Sequence, residues 1–585
     1  MAKKDDKVHR IIRAHHHAIE QYRERLEMIR RANSFFIGDQ WDDAVRAQRV
    51  ADHRPVLTIN MILPLVMQLL GNQAQRPRSW RVHPVADRGD DNVAALLQEL
   101  LFFIANSNDL NYIDQQVFTG GIVGGAGWWT IDTSFDDDPL GEIKVDYDIN
   151  TQCFPDVDAR RYDQKDWKHF VKTAWMSYDD LVNHYGKRKL NFTLSEEEAN
   201  WQNFQLRLPS DLRNEADKDL INVENGNYKV IEFWERKAER GEVLFNPLSG
   251  EVIPIGKKLS NKGEIVDQLR RSGWEIAKGG LVHSMDVTTV FPHGDTILEE
   301  KTLDYYYYPF FGFFPMLFSG ITIRDAFSYI ENLISPQEEK NKMRSYIQDV
   351  LQKQAYGGAI FPAGESELAQ DYQEHGAEPG WTGVRKTNTR NSIEFLSPDY
   401  PTGVDRLMQV NDSDLQRASA QSLASSSETA AADESGVLFQ SKLAQTSVTL
   451  SPIFQAFERS RSILAKGILE RIQKDYTEER VFRIIGAPNE QDQLAVINQK
   501  DAVDRVLNDV TVGEYDVHIS EEAFAQNSRE SELRQMAEMI KVLPPEAQLI
   551  IMPEIIRNSS LKNRHETADK LEQVPPPVQE NAKVQ

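Results

Sequence analysis

The chain has 585 residues, of which 40% are hydrophobic and 27% charged, and its formal net charge is −23. This length exceeds what one hydrophobic core usually organises, so we expect a soluble protein of two to four folding units. The acidic charge disfavours tight, general binding of nucleic acid, which draws its affinity from neutralised phosphates, but it leaves transient contact with a duplex open.

Segments that would export or anchor the chain are not expected. The opening MAKKDDKVHRIIRAHHH is charged and has no apolar core of the kind that a secretory leader contains. The apolar run at 61–70 is interrupted by Pro64 and Gln68 and is far shorter than the roughly 20 residues that cross a bilayer. Cys153 is the only cysteine, so a disulfide within the chain is impossible and folding in a reducing cytoplasm is expected.

The first predicted element is an amphipathic helix over residues 7–31. Gly38 is expected to end it. Adjacent histidines at 15–17 point in different directions, and helical metal ligands are usually four residues apart, so a solvated helix is favoured over a metal site. The apolar stripe of the helix comprises Ile11, Ile12, Ile19, Leu26 and Ile29.

The stretch RPVLTINMILPLVMQLLGNQAQRPR, residues 54–78, predicts a short buried strand at 56–59 and then a helix at 61–73. Ile62, Leu65, Val66 and Leu69 would face inward. A strand at 80–85 and an amphipathic helix at 91–107 follow, and glycines after position 119 then lead into two alternating strands.

No catalytic motif is found. The glycines precede a strand instead of following one, which is the reverse of a dinucleotide loop and favours close backbone packing. The patterns GxxxxGK[ST], HExxH and GxSxG do not occur. An acidic cluster could hold a metal or simply solvate a loop, and it consists of Asp156, Asp158, Asp163 and Asp166.

The middle of the chain predicts strands at 230–236 and 281–291 and a hairpin around NPLSG. The aromatic run YYYYPFFGFFPMLFSG favours a buried packing junction over a platform for stacking bases. A helix over 335–356 is expected to begin with Ser335 as N-cap and Pro336 at its first position. One face of this helix carries Met343, Ile347, Val350 and Leu351.

A polar insert at 357–401 and a polar helix from 402 to about 423 come next. The small-residue stretch ASSSETAAADESG then precedes a helix over 437–476, which is expected to kink at Pro452. Its apolar positions include Phe454, Phe457, Leu464, Ile468 and Ile472. Strands at 481–485 and 515–519 follow, then helices from 521 and a disordered tail.

Taken in this order, the segments resemble the portal proteins of tailed bacteriophages, of the short-tailed, podovirus-like type. The order of many short motifs carries the resemblance over most of the chain. The chain departs from the pattern at Ser335-Pro336-Gln337, where many relatives have Asp-Pro-Gln-Arg. The motifs are FFIGDQW, residues 54–78, GAGWWTIDTSF, VIEFWER, NPLSGE, PFFGFF, SPQEEKNKMRSYIQDVL, ESGVLFQSKLAQ and FAQNSRESELRQMAEMI.

The resemblance implies a predominantly helical α+β portal fold, assembled as a ring of twelve copies at one capsid vertex. DNA would enter the capsid through its channel during packaging and leave through it during ejection. Residues 54–78 would be wing framework. The implied regions are the wing (1–334 and 437–520), the stem helices (335–356 and 402–424), the clip (357–401), the tunnel loop (425–436), the crown (521–572) and a disordered tail (573–585).

The resemblance also places residues around the DNA. The tunnel loop would line the narrowest part of the bore with small and acidic side chains, namely Ser425, Ser426, Ser427, Glu428, Asp433 and Glu434. Basic side chains on the stem helices would either touch DNA transiently or pair with carboxylates of a neighbouring subunit. These candidates are Lys340, Lys342, Arg344, Lys353, Arg406 and Arg417.

The clip would dock the packaging motor and later the tail adaptors, or make contacts between clips of the ring, through Trp381, Arg385, Lys386 and Arg390. Implied partners are the terminase motor, tail adaptor proteins, major capsid and scaffolding proteins and double-stranded DNA, with no membrane, cofactor, metal or enzymatic activity. Assembly would occur in the bacterial host cytoplasm and the product would reside in the virion. Alternatives are a metal-dependent nuclease using the Asp156 cluster and a different head–tail adaptor.

Overall fold

The computed structural model describes residues 2–74, 79–85, 90–135, 138–190, 221–222, 227–245, 252–255, 271, 273–292, 295–355, 358–361, 365–375, 382, 394–396, 403–419, 436–484, 493–500, 506–511, 513 and 515–520. Within these ranges, no helix is both long and apolar enough to span a membrane. Helices hold more of these residues than strands do, and the two are mixed along the chain, so the α+β class is confirmed.

The helices that the structure describes are α1 (Ala2–Ile37), α2 (Asp43–Ala51), α3 (Ile62–Ala74), α4 (Asp91–Ser107), α5 (Leu110–Gly124), α6 (Tyr178–Tyr185), α7 (Lys187–Leu190), α8 (Glu331–Ala355), α9 (Ser366–His375), α10 (Gly403–Ala418) and α11 (Gly436–Asp475). Short 3-10 turns lie at Asn150–Gln152 and Ile323–Asp325.

The strands are β1 (Ser79–Pro84), β2 (Gly127–Ser134), β3 (Glu142–Asp148), β4 (Cys153–Pro155), β5 (His169–Ser177), β6 (Ile221–Asn222), β7 (Asn227–Phe245), β8 (Val252–Ile255), β9 (Glu275–Phe291), β10 (Thr296–Leu303), β11 (Phe310–Phe313), β12 (Gly358–Ile360), β13 (Glu394–Leu396), β14 (Arg480–Ile484), β15 (Gln493–Ile497), β16 (Gln499–Lys500), β17 (Val506–Leu507) and β18 (Tyr515–Ser520).

Helix α1 confirms the predicted apolar stripe and its end. Ile11 and Ile12 are fully buried, and the chain leaves the helix at Gly38, whose φ of +99° favours glycine. The prediction of a solvated histidine cluster is wrong for His15, which is fully buried against the sheet, whereas His17 is exposed. A helix carries one buried position in every three or four, so three adjacent histidines cannot share one environment.

The predicted strand at 56–59 is wrong, because this segment is extended but pairs with no other strand in the described structure. The helix after it is confirmed as α3, and Ile62, Val66 and Leu69 are buried as expected. Leu65 is only half-buried. Alternating apolar residues do predict an extended backbone, but they do not say what will satisfy its amide groups.

The central core lies between the sheet β11–β2–β3 and helices α4, α5 and α11. Phe313 of the aromatic run is fully buried there, which confirms a packing junction. The glycines of α5 allow close approach, since a Cβ at Gly121 would lie 2.4 Å from the Phe313 ring. All five predicted apolar positions of α11 are buried: Phe454, Phe457, Leu464, Ile468 and Ile472.

A second layer is an antiparallel sheet with the order β10–β9–β7–β5–β4, to which β6 and β8 add by pairing with β7, seven strands among the described residues. Helix α1 packs on it through Val8, Ile11 and Ile12, which contact side chains of β4, β5, β7 and β9. Strands β7 and β8 pair antiparallel from Phe245 and Val252 outward, as expected for the predicted hairpin. Strand β1 pairs with β18, which joins parts of the chain more than 400 residues apart.

Candidate functional site

The site begins where α8 leaves the central core. The expected N-cap at Ser335 is wrong, because α8 starts four residues earlier, at Glu331. The Ser328 hydroxyl accepts a hydrogen bond from the Glu331 amide (3.2 Å), and the Glu331 carboxylate accepts one from the Ser328 amide (2.7 Å). This reciprocal capping box satisfies two amides that a helix start would leave without partners.

Pro336 consequently lies inside α8. A proline has no amide hydrogen, so the carbonyl of Asn332, one turn earlier, receives no helical hydrogen bond. Asn332 is exposed, which lets water reach that carbonyl. The helix therefore continues through a residue that the sequence pattern assigned to its first position.

Arg25 ties the start of α8 to two other helices. Its guanidinium donates to the Glu331 carboxylate (2.6 Å) and to the carbonyl of Gly124 (2.7 Å), the last residue of α5. A cation at the C-terminal end of a helix is favoured by the helix dipole. Gly125 leaves the space, since a Cβ there would lie 2.1 Å from an Arg25 nitrogen, and its φ is +79°. The origin of α8 is thus fixed relative to α1 and α5.

The extended segment at 55–61 runs along α8 and is held by a ladder of side chains. Three buried polar residues, one on each successive turn of α8, accept hydrogen bonds from alternate backbone amides of the segment. The bonds join Leu57 N to Ser345 Oγ (3.0 Å), Ile59 N to Asn341 Oδ1 (3.0 Å) and Met61 N to Gln337 Oε1 (3.2 Å).

The ladder is possible because the spacing of alternate residues in the extended segment matches the spacing of successive turns in α8. Alternate residues of an extended chain lie about 6.6 Å apart, and residues four apart in a helix rise about 6.0 Å. The segment and α8 run in opposite directions, so each step along one meets the next turn of the other. The helix therefore replaces the neighbouring strand that the sequence pattern predicted for 56–59.

The side-chain amides of Gln337 and Asn341 also donate hydrogen bonds. Gln337 donates to the Ile59 carbonyl (2.6 Å) and to Asn341 Oδ1 (3.1 Å). Asn341 donates to Gln40 Oε1 (2.6 Å), and Gln40 donates to the Phe35 carbonyl (2.9 Å). Buried polar groups of this kind stabilise one arrangement because any shift leaves several of them without partners.

Helix α10 returns antiparallel along α8. Asn411 of α10 donates to the Pro336 carbonyl (3.0 Å), and Lys340 of α8 pairs with Asp412 (2.5 Å). At one end of the pair, the Tyr329 hydroxyl donates to the Ser419 carbonyl (2.5 Å). Beyond the other end, β12 pairs antiparallel with β13. The two helices therefore form an antiparallel hairpin, and α8 joins the central core at its start through Leu333 and Ile334.

The six predicted basic residues of the two helices differ in their surroundings. Lys340 is only 12% exposed and is engaged with Asp412, so it presents no free charge to solvent. Lys342 is exposed and lies 3.4 Å from Glu338, one turn before it. Lys353 lies in α8, but its side chain is outside the described part. Arg344, Arg406 and Arg417 are exposed and form no ion pair with another described residue.

Two other predicted groups fall outside the described residues and stay predictions. The tunnel-loop group is Ser425, Ser426, Ser427, Glu428, Asp433 and Glu434, and the clip group is Trp381, Arg385, Lys386 and Arg390. The same is true of the predicted crown and tail, residues 521–585.

The acidic cluster shapes a loop. Arg161 binds Asp163 through two hydrogen bonds, which lower the pKa of that carboxyl, and Asp158 lies 3.7 Å from Lys168. The described residues include no group of three or more His, Cys, Asp or Glu placed to hold a metal ion. Further bonds go from backbone amides to carboxylates: Asp158 N and Lys168 N to Asp156 (3.2 Å each), Arg160 N to Asp166 (2.7 Å), Arg161 N to Asp166 (3.2 Å) and Lys165 N to Asp163 (3.4 Å).

Sequence reasoning missed the ladder residues Gln337, Asn341 and Ser345. A usable signal was present, since polar residues recur every four positions on a helix while apolar residues alternate at 57, 59 and 61. Neither pattern alone identifies the other as its partner. Sequence reasoning also missed Arg25, which looks like any other surface arginine of an amphipathic helix.

Comparison with known proteins addresses the whole chain. A family model for phage P22-like portal proteins matches residues 12–585. No curated protein matches the chain. The sequence-based resemblance to podovirus-like portal proteins is thereby confirmed. Because the match covers nearly every residue, this chain belongs to the phage P22-like portal protein family, and it is a structural protein of the virion, the head-to-tail connector at the capsid vertex.

Proposed function

We propose that twelve copies of this chain form a ring at one capsid vertex and that double-stranded DNA passes through its central channel during packaging and ejection. Membership of the portal family over residues 12–585 supports this proposal. So does the α8–α10 hairpin, a paired helical projection anchored to the core at one end and carrying the β12–β13 pair at the other.

In this proposal the hairpin is the stem, and residues 357–401 are the clip at its far end. Residues 1–334 and 437–520 form the wing, 425–436 the tunnel loop and 521–572 the crown. The structural support lies at the base of α8, because Arg25, the capping box and the ladder join the helix to the wing through partly buried hydrogen bonds. A conduit needs such an anchor, since DNA would otherwise displace the helices that surround it.

The charge of the chain suits a conduit that must release its cargo. B-DNA carries about one charge per 1.7 Å of axis, so a strongly basic bore would hold it. The net charge of −23 would keep a duplex away from the walls. Arg344 and Arg406, which are exposed on the two stem helices, would provide a few transient contacts. The serines and carboxylates of the tunnel loop would line the narrowest point.

The partners follow from the position of each region. The clip, with Trp381, Arg385, Lys386 and Arg390, would dock the terminase motor and then the tail adaptors. The wing would contact major capsid and scaffolding proteins during assembly in the host cytoplasm. Hydrolysis of ATP would belong to the terminase, and the portal itself would catalyse no reaction.

Native mass measurement with negative-stain imaging of the purified chain tests the proposal. We expect particles of about twelve subunits, each with a central hole, either alone or after addition of the scaffolding protein. A chain that stays monomeric or dimeric at high concentration with scaffolding protein present would contradict it.

A further inference from the structure

Helices α8 and α10 each turn one face away from the elements that pack against them in the described part of the chain. On α8, the ladder residues face the segment at 55–61, and Pro336 and Lys340 face α10. Positions three and four apart share a helix face, so a third face remains. It comprises Glu339, Lys342 and Tyr346, and the corresponding face of α10 comprises Val410, Asp414 and Arg417, with Leu407 one turn before Val410.

Both faces expose apolar side chains that an isolated chain leaves in water. The exposed fraction is 47% for Tyr346, 53% for Leu407 and 50% for Val410. The two faces cannot meet within one chain, because α8 and α10 already contact each other through other sides. A second copy of the chain, in contrast, can cover each face with the other.

The order of residues on the two faces is complementary. Read along α8, the spacing is three and then four residues, and the same spacing occurs when α10 is read backward from Arg417. Placed antiparallel, the faces bring Glu339 opposite Arg417, Lys342 opposite Asp414 and Tyr346 opposite Val410. In these three pairs each charge meets the opposite charge, and the two apolar side chains meet each other.

We propose that α8 of one copy packs against α10 of the next copy in this register, and that this seam builds the ring. The proposal rests on the ring assembly proposed above and specifies its contact. A contact between two different faces of identical chains is head-to-tail, and it generates a closed ring when the rotation between copies closes. Lys342 and Arg417 then serve subunit contacts, whereas Arg344 does not lie on the seam.

Local contacts permit this arrangement. Lys342 can exchange its partner one turn away, Glu338, for Asp414 of the neighbour, since the 3.4 Å pair is exposed and costs little to break. Glu339 has a long contact with Asn411 of its own chain (3.4 Å), which leaves its second oxygen available to an arginine. The seam would thus join charges that are already displayed in the free chain.

Charge reversal tests the seam. In Arg417→Glu and in Glu339→Arg, like charges face each other, so each variant should lower the ring fraction about tenfold at a fixed concentration. The double variant restores opposite charges and should recover most of the rings. Thermal unfolding of the unassembled variants is the control for folding. Full assembly of both single variants would overturn the seam.

Cross-linking provides a second test in assembled protein. Tyr346→Cys combined with Val410→Cys should give disulfide-linked chains in a ladder of multimers, because facing positions of packed helices lie within disulfide reach. Cys153 is buried and does not compete. The matched control pairs Tyr346→Cys with Gln409→Cys, which is exposed on another side of α10.

The two proposals fail in different ways. Rings that form normally but give no Tyr346–Val410 cross-link would overturn the seam and leave the ring intact. A wild-type chain that forms no ring with scaffolding protein present would overturn the ring and the seam together.

Discussion

The core around α5 and the base of α8 are both buried, but they are built from opposite kinds of side chain. In the core, Phe118 stacks on Phe454 and meets Phe457 edge-on, with ring centroids 5.8 and 5.2 Å apart. At the base of α8, Gln337 and Asn341 are buried as completely as those rings, yet they make hydrogen bonds to a backbone segment and to each other.

The two regions differ in which property of the fold they determine. Apolar packing is strong but has little directional preference, so an aromatic core tolerates small rotations of its helices. A hydrogen bond weakens steeply when its angle or distance changes, and a buried group that loses its partner is costly. We infer that the core supplies most of the stability, whereas the ladder fixes the rotation and register of α8.

The largest expected effect comes from the core. Phe457→Ala should lower the free energy of unfolding by about 3–5 kcal/mol, since it removes a fully buried ring and leaves a cavity. Urea denaturation of the unassembled chain measures it. Phe135→Ala is the control, because Phe135 is 65% exposed and its loss should cost less than about 0.5 kcal/mol. Equal costs for the two would mean that the core is not as tightly packed as described.

Disrupting the ladder should lower the free energy of unfolding nearly as much. Asn341→Leu keeps the volume but removes the acceptor of the Ile59 amide, the donor to Gln40 Oε1 and one of the two acceptors of the Gln337 amide, so we expect a loss of roughly 2–4 kcal/mol. Ser335→Ala, at an exposed position of the same helix, is the control. Hydrogen exchange should show faster exchange of the Ile59 amide in the leucine variant. An unchanged rate would remove the ladder's claimed role.

His15 sharpens the comparison, because it is a buried polar residue whose ring nitrogens make no hydrogen bond within the described structure. Burial, together with Lys229 and His16, lowers its pKa well below the usual value of 6.5. The unfolded chain therefore takes up a proton near pH 6.5 and the folded chain does not. Stability should fall as the pH drops below about 6.5 and until it reaches the lowered pKa, by at most about 1.4 kcal/mol per pH unit for this group.

Unfolding measured between pH 7.5 and 5.5 tests this prediction. His15→Leu should remove this part of the pH dependence, whereas His17→Gln, at an exposed position, should retain it. If the leucine variant loses stability on acidification as steeply as the wild type, the pH dependence has another origin.

The smallest effect is expected on the exposed face of α8. Lys342→Ala should change the unfolding free energy of the isolated chain by less than about 0.5 kcal/mol, since its pair with Glu338 is exposed to solvent. Lys340→Ala, only two positions away, should cost more, because its partly buried pair with Asp412 joins two helices. Thermal unfolding of both variants under one condition measures the difference, and equal effects would contradict the assigned contacts.

Regular patterns made much of the fold predictable. Periodic apolar residues located α1, α3, α4 and α11 correctly, and their buried faces were largely those expected. The predictions failed where side chains, and not the backbone of a neighbouring strand or the expected cap, bind the backbone amides. The segment at 56–59 was extended as predicted but is bound by helix side chains, and Ser328 caps α8 in place of Ser335.

The site was less predictable than the fold, since basic residues on one helix look alike in sequence. Lys340, Lys342 and Arg344 lie within five positions of one another, yet one is engaged with α10, one lies on the exposed face and one points elsewhere. Only the packing partners of α8 distinguish them. Those partners, at positions 57–61 and 411–412, are distant in sequence and show no pattern that links them to α8.

The most direct test of the account is a cryo-electron microscopy reconstruction of the assembled protein at a resolution that shows side chains. The account predicts a ring whose bore is surrounded by the α8–α10 hairpins, with Glu339 beside the neighbour's Arg417 and Tyr346 beside its Val410. A ring in which these hairpins lie on the outer rim, or in which the faces of Tyr346 and Val410 remain uncovered, would contradict it.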